Sequence, residues 1–389
     1  MPDVSFDNIK NAFEYKSNAD ITKAYWLFRG LSNRTLVKYA PTLTAIALKL
    51  HLPVKWVVKG TIYSHFCGGE TIEECLNTIQ RLGKFHVGSI LDYSVEGKEE
   101  EKEFEHACEE IIATVKRAAG DPNIPFCVFK PTGLARFALL EKVSSRQTLS
   151  PDEVSEYEKV KLRIDRICEL GYKKKVSVFI DAEESWIQPA IDELVTALMM
   201  KYNKEKAFIY NTIQFYLKDR LEFQRKAYEH ALNNNYYLGI KLVRGAYMEK
   251  ERKRALDMNY PSPIQLDKIS TDHDYNAALK FCINHIDRIA FCAGTHNAES
   301  SLLLTQLMAA KNISNNDDRI YFSQLLGMSD HISFNLAKSG YNVTKYVPYG
   351  PVISVLPYLT RRAQENSSMS GQMGRELSLL IKEKKRRST

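Results

Sequence analysis

The sequence predicts an α/β protein built on an eight-stranded (βα)8 barrel, with a helical arm before it and a last helix over the barrel mouth. Three observations carry this reading. Eight short runs rich in β-branched and aromatic residues follow residue 86, helix-compatible sequence separates each pair, and polar residues recur where the runs end. Strands joined through helices need crossover connections and are therefore parallel, which leaves a closed barrel or a doubly wound sheet. The count of eight favours the barrel. So does the set of strand-end residues, which a barrel would gather on one face.

Residues 1–86 read as a helical arm, in which Thr71 to Ile79 carries apolar residues at helical spacing and Gly83 ends the pattern. The strand runs are Val87–Tyr93, Phe126–Phe129, Val176–Ile180, Ala207–Gln214, Leu238–Val243, Ile289–Cys292, Ile320–Gln324 and Val343–Val347. Between them lie helix-compatible stretches such as Glu99–Ala119, Ile187–Tyr202, Leu221–Ala231, Asp272–Ile286, Glu299–Ala310 and His331–Ala337. One helix start is especially clear: Ser150 as N-cap, Pro151 at the first position and Glu153 completing a capping box, with the helix expected to run to Gly171. The polar strand ends are Lys130, Asp181, Gln214, Lys241 with Arg244, Thr295 with His296, and Tyr346. A loop residue in water explains any one of them. Six strands of eight ending this way point to a shared face. These boundaries give an arm (1–86), a barrel (87–372) and a basic C-terminal tail (373–389).

The 389 residues carry 54 Lys+Arg against 47 Asp+Glu, a formal charge of +7, with 44% hydrophobic and 26% charged residues. That composition excludes a disordered chain, a collagen-like chain and a coiled-coil rod. Seven cysteines without a CxxC pair argue against a disulfide framework or a thiolate zinc site and suit a reducing compartment. The one dense basic run, Lys382 to Arg387, reads as a solvated tail, or as a weak attraction to an anionic membrane. No aromatic-interleaved basic stripe supports nucleic-acid binding. The N-terminus has neither a signal-peptide layout nor a transit-peptide composition. The most apolar stretch, Leu43 to Val58, is broken by Lys49, Pro53 and Lys55 and does not read as a bilayer span.

Four segments could carry chemistry. In the last helix Tyr358, Arg361, Arg362 and Glu365 are spaced i, i+3, i+4, i+7 and share one face. They form either an exposed amphipathic surface or a platform offering two guanidinium forks to a carboxylate, with Tyr358 as an apolar wall. The run Lys241-Leu242-Val243-Arg244-Gly245-Ala246-Tyr247 ends the fifth strand with a cation and then two residues of little bulk, which suits a flat or charged group approaching the backbone. Thr295-His296-Asn297 could be a nucleophile, a metal ligand or a hydrogen-bonding ledge. Without HxH, HExxH or a nucleophile elbow, the ledge is the economical reading, and no metal is expected. Asp181-Ala182-Glu183-Glu184 clusters carboxylates, either as a solvated acidic loop or with a general base among them.

Together, Lys130-Pro131-Thr132, Asp181-Ala182-Glu183, Lys241 to Tyr247, Thr295-His296-Asn297, Tyr346-Val347-Pro348-Tyr349-Gly350 and Tyr358-Leu359-Thr360-Arg361-Arg362 resemble the proline dehydrogenase family, from about Phe66 to Ser368 and in the family's order. The resemblance implies an FAD-dependent, distorted (βα)8 barrel that oxidises L-proline to Δ1-pyrroline-5-carboxylate, an oxidoreductase acting on a CH–NH donor. It implies that Lys130, Arg361 and Arg362 bind the substrate carboxylate. Asp181 and Lys241 would form the charged pair at the reaction centre, with Asp181 the nearest candidate for a base. Ala182, Gln214, Lys241, Val243, Arg244, Gly245, Ala246, Thr295 and His296 would contact FAD. Leu325, Tyr346, Tyr358 and Tyr247 would wall the ring pocket, and Glu365 would fix an arginine. Departures from the common bacterial pattern are Lys241 where Arg is usual, Met248 where an aromatic is usual, and a longer stretch from Gly133 to Lys175.

The resemblance further implies a quinone acceptor, a place in proline catabolism, and peripheral contact with a membrane. It implies a cytoplasmic location at the inner membrane, or a mitochondrial one if a transit peptide lies outside this chain. Three rivals are kept: oxidation of 4-hydroxyproline by the same mechanism, another flavin barrel such as a folate reductase, and a non-catalytic FAD-binding regulator. A yellow protein bleached by proline would separate the family reading from the last two.

Overall fold

The computed structural model describes residues 4–33, 54–95, 99–368 and 372–388. Eight parallel strands close into a barrel in sequence order: β1 (Val87–Tyr93), β2 (Phe126–Phe129), β3 (Ser177–Ile180), β4 (Ile209–Gln214), β5 (Leu238–Val243), β6 (Ile289–Gly294), β7 (Ile320–Leu325) and β8 (Val343–Tyr349). Closure is made by β1 against β8, paired continuously from Val87↔Val343 to Tyr93↔Tyr349. The doubly wound alternative is thereby set aside. Each strand alternates between two buried faces. Ile90, Phe126, Val128, Phe179, Tyr210, Cys292 and Tyr346 fill the interior, where Phe126 stacks on Phe179 at 4.2 Å. The other face joins the helices in the main core, with Leu91, Cys127, Val178, Ile213, Leu242, Phe291, Phe322 and Val347 among its members.

The helix opened by Ser150 has the expected capping box but runs past Gly171 to Lys174, ending at Lys175 in the left-handed region at φ +57°. Gly171 serves close packing instead of termination, since a Cβ there would lie 2.6 Å from Val178 Cγ2. Val176 donates its N–H back to Gly171, so β3 begins one residue later than expected.

β8 is covered outside by the helices Ile72–Gly83 and Asp330–Lys338, which leaves the helix Leu356–Ser368 at the strand C-terminal end. There Tyr358, Leu359 and Ala363 pack with Leu325, Met328 and the arm residues Phe28 and Leu31. This gives the barrel its distortion. The arm helix Asn18–Leu31 packs in turn on a C-terminal helix, Gln372–Ser388. The basic run is thus helical and docked through Arg387, while Lys382, Lys385 and Arg386 remain exposed. Glu383, fully buried, accepts from Arg386 Nε at 2.7 Å and Arg387 Nε at 2.6 Å, and Arg387 also donates to the carbonyls of Phe13 and Lys16. Most of the apolar stretch Leu43 to Val58 lies outside the described residues. Among those described, no helix is long and apolar enough to cross a membrane.

Candidate functional site

Period-two alternation in β5 and β8 puts Lys241 and Tyr346 inside the barrel near its C-terminal end. Lys241 is 4% exposed. Its ammonium pairs with Asp181 Oδ1, donates to the Tyr346 hydroxyl at 2.5 Å, and sits over the Tyr346 and Phe179 rings at 4.7 and 5.5 Å. Tyr346 also reaches Asp181, its hydroxyl lying 3.3 Å from Oδ1. Burial, then the Asp181 charge, holds the Tyr346 hydroxyl well above the usual phenol range, so it is a neutral donor.

Lys130, following β2, lies between two carboxylates: 3.4 Å from Asp92 and 3.9 Å from Asp181. Asp92, Lys130, Asp181 and Lys241 thus form an alternating row of charge across the mouth. Such an arrangement offsets the cost of burying each charge alone. Asp92 is 3% exposed and accepts from Ser94 Oγ at 2.7 Å. The sequence reading missed it. Its signal was present, because Asp92 is two residues from Ile90 and so shares the interior face of an otherwise apolar strand.

The loop after β5 builds a second group. Arg244 donates through Nε to Asp272 at 2.6 Å, through one terminal nitrogen to Thr295 Oγ1 at 2.6 Å, and through the other to Ser300 Oγ at 2.8 Å, its plane over Tyr275. Gly245 follows at φ +130° with its Cα face against the Tyr216 ring, a conformation no side chain would tolerate there. Val243 is half-buried, whereas Gly245 and Ala246 are exposed and present bare backbone at the rim. Tyr247, next along, is buried.

His296 Nδ1 lies 2.9 Å from Ser329 Oγ. Burial, reinforced by Lys345 and Arg362, lowers its pKa to about 3, so the ring is neutral. Gln214 donates to the Glu183 carbonyl at 2.6 Å, and Ala182 is buried beside it. The Glu183 carboxyl accepts from Thr132 N at 2.8 Å and Thr132 Oγ1 at 2.5 Å, and burial pushes its pKa up to about 8.

In the helix Leu356–Ser368, Tyr358 and Arg362 are buried, with the Arg362 guanidinium 5.2 Å over the Tyr358 ring, and Arg361 is half-buried. This is not an exposed amphipathic face. Leu325, at the end of β7, bridges the barrel interior and this helix. The side chain of Glu365 lies outside the described residues. Of the predicted cations, Lys130 lies beside Asp181, and Arg362 is near enough to His296 for its charge to act on that ring. Among the described residues, no group of three or more His, Cys, Asp and Glu could hold a metal ion.

The family model for proline dehydrogenase matches residues 75–375. Proline dehydrogenase 1 of Dictyostelium discoideum is 34% identical, over 87% of this chain and 67% of its own length. A hydroxyproline dehydrogenase of Xenopus laevis is 32% identical over 96% and 88%. A carbapenem antibiotics biosynthesis protein of Pectobacterium carotovorum is 37% identical over 84% of each chain. The crystal structure of proline utilization A from Bdellovibrio bacteriovorus, inactivated by N-propargylglycine, superposes with a TM-score of 0.74 at 23% identity, over 95% of this chain and 40% of that one. By the extent of the family match and by its relatives, this chain belongs to the proline dehydrogenase family.

Proposed function

We propose that this chain oxidises L-proline to Δ1-pyrroline-5-carboxylate with FAD as the two-electron acceptor, the electrons then passing to a quinone as the first step of proline breakdown. The observation that carries it is the buried Lys241, held by Asp181 and Tyr346 at the mouth of a closed barrel. The donor set fits a flavin. One side of the mouth offers the Lys241 ammonium, the Arg244 guanidinium, the neutral His296 ring and the Thr295 and Gln214 side chains beside the bare backbone of Gly245 and Ala246. Val243 and Ala182 would complete that cradle. When bound, FAD would supply the acceptor for a hydride leaving the ring carbon next to the amine.

The chain's own residues divide the remaining work. Lys130, Arg361 and Arg362 would hold the substrate carboxylate by charge-assisted contacts. Leu325, Tyr346, Tyr358 and Tyr247 would wall the apolar ring and exclude water. Lys241 is a preorganised cation beside the place where negative charge would develop. Asp181 already receives Lys241 and the Tyr346 hydroxyl, with Lys130 nearby, so it acts as an orienting group for the two lysines instead of a proton acceptor. Quinone reduction would bring the mouth to a membrane surface, at the inner membrane of a bacterium or a mitochondrion.

Oxidation of 4-hydroxyproline is the second reading, favoured by the likeness to the Xenopus protein along almost the whole chain. Turnover of FAD-loaded protein with each amino acid and a soluble quinone decides between them. Proline is expected to be the better substrate, with quinone reduced in step with cyclic imine formed. Preference for hydroxyproline would select the second reading, and no turnover of either would refute both.

A further inference from the structure

In the loop that follows β7, behind His296, several elements meet at the start of the helix Asp330–Lys338. Ser329 sits just before it, fully buried, in the left-handed region at φ +52° and ψ 40°. A non-glycine residue held there needs surrounding structure to fix it. Its N–H is bound by Glu376 Oε1 at 2.8 Å, a carboxylate that comes from the C-terminal helix and is 4% exposed. Its hydroxyl meets His296 Nδ1 at 2.9 Å.

The next residue, Asp330, is 2% exposed and anchors the rest. Its Oδ2 takes Lys16 at 2.7 Å and the Tyr15 hydroxyl at 2.8 Å, both from the arm, and its Oδ1 takes the fully buried Lys345 of β8 at 2.9 Å. Lys345 also donates to the carbonyls of Leu325 and Met328, the residues that lead from β7 into the turn. The same turn is held from a further side by His65, whose Nε2 lies 2.9 Å from the Gly327 carbonyl. Two carboxylates at a helix N-terminus suit the helix dipole, and two lysines offset their charge.

We propose that Glu376 is a positioning residue for the active site: by holding the Ser329 turn it fixes the His296 ring, which makes the C-terminal helix part of the machinery that presents His296 to the cofactor. The chain of contacts is short, buried at the Glu376–Ser329 link and part-buried at the Ser329–His296 link, so the ring's orientation depends on a residue 80 positions downstream in the chain. This inference rests on the functional reading above only for its effect on turnover. Its structural half stands on the protein alone.

The test uses holoenzyme labelled with ¹⁵N-histidine, with three readouts: the His296 ring resonances, FAD affinity, and kcat and KM for proline. Glu376→Ala should move the His296 ring signals away from their wild-type positions and lower kcat about tenfold with KM little changed, the scale on which residues outside a site couple to it. Glu376→Gln keeps an acceptor oxygen for the Ser329 N–H and should restore both. Ser329→Ala removes only the hydroxyl, leaves the C-terminal helix docked, and should reproduce the His296 change, which keeps the proposal testable even where Glu376→Ala fails to fold. His296 signals unchanged in Ser329→Ala would overturn it. So would a Gln variant as impaired as the Ala variant, because charge and not the acceptor would then be the cause. Wild-type protein that does not oxidise proline would defeat the functional reading alone, since the ring signals report without turnover.

Discussion

Replacing Lys241 by Met removes the cation at the centre of the site while keeping a chain of similar length. The structure sets the size of the effect. Asp181 would lose its closest partner but keep Lys130 Nζ at 3.9 Å and the Tyr346 hydroxyl at 3.3 Å. At about 4 Å and an effective dielectric of about 20, the remaining ion pair is worth ~4 kcal/mol before desolvation. The carboxylate is therefore not orphaned, and the stability loss should fall short of the ~3–5 kcal/mol of a broken buried pair, at about 2 kcal/mol. Catalysis should suffer more. Losing a preorganised cation beside a developing anion costs about 3 kcal/mol, on the order of a hundredfold in rate. Anaerobic stopped-flow reduction of bound FAD by proline measures the second number, and denaturant unfolding the first. A double-mutant cycle sharpens the test. In an Asp181→Asn background there is no charge to strand, so Lys241→Met should cost at least about 1 kcal/mol less stability than in wild type. Unchanged reduction with FAD still bound would refute the catalytic argument, and strictly additive stabilities would refute the pairing argument.

Arg362→Met should leave FAD bound yet raise KM for proline by at least about thirtyfold, as expected for losing a buried charge-assisted contact to a carboxylate, with a much smaller loss for proline amide; equal losses on acid and amide would show that Arg362 does not meet the carboxylate. Tyr346→Ser should narrow the preference for proline over hydroxyproline, which competition kinetics would show, and an equal loss on both substrates would mean that its ring does not read that part of the substrate. Buried His331 has its pKa lowered from 6.5 to about 4, chiefly by burial, so between those values the unfolded chain holds a proton that the native state refuses. Native stability must then fall as pH drops through that window, and His331→Gln should flatten the slope by ~1.4 kcal/mol per pH unit. Identical slopes in urea titrations at pH 6 and 5 would contradict that.

The barrel was legible because each strand is a short β-branched or aromatic run bounded by helical sequence, and because six of the runs end in residues that must meet if the sheet closes. Closure itself is a long-range event, β8 on β1, that no local pattern encodes. Local reasoning also misjudged Gly171, whose small size serves packing on Val178 instead of stopping a helix. The charged groups were read unevenly. Lys130, Asp181 and Lys241 stood out at strand ends, whereas Asp92 and Lys345 lie within strands and looked like ordinary alternation, though both are buried. The docking of Arg387 leaves no local trace in the basic run because the arm it binds lies more than 350 residues earlier in the chain. For the same reason Glu376 carried no signal. What makes it matter is the Ser329 N–H it binds, and that contact exists only after folding.

The most direct measurement is the visible absorption spectrum of purified protein reconstituted with FAD, recorded without oxygen before and after L-proline is added. The account predicts a bound flavin whose visible band bleaches on adding proline and returns when a quinone is supplied, with the Lys241→Met protein binding FAD but bleaching about a hundredfold more slowly. A protein that takes up no FAD, or whose bound FAD stays oxidised in the presence of both proline and hydroxyproline, would contradict it.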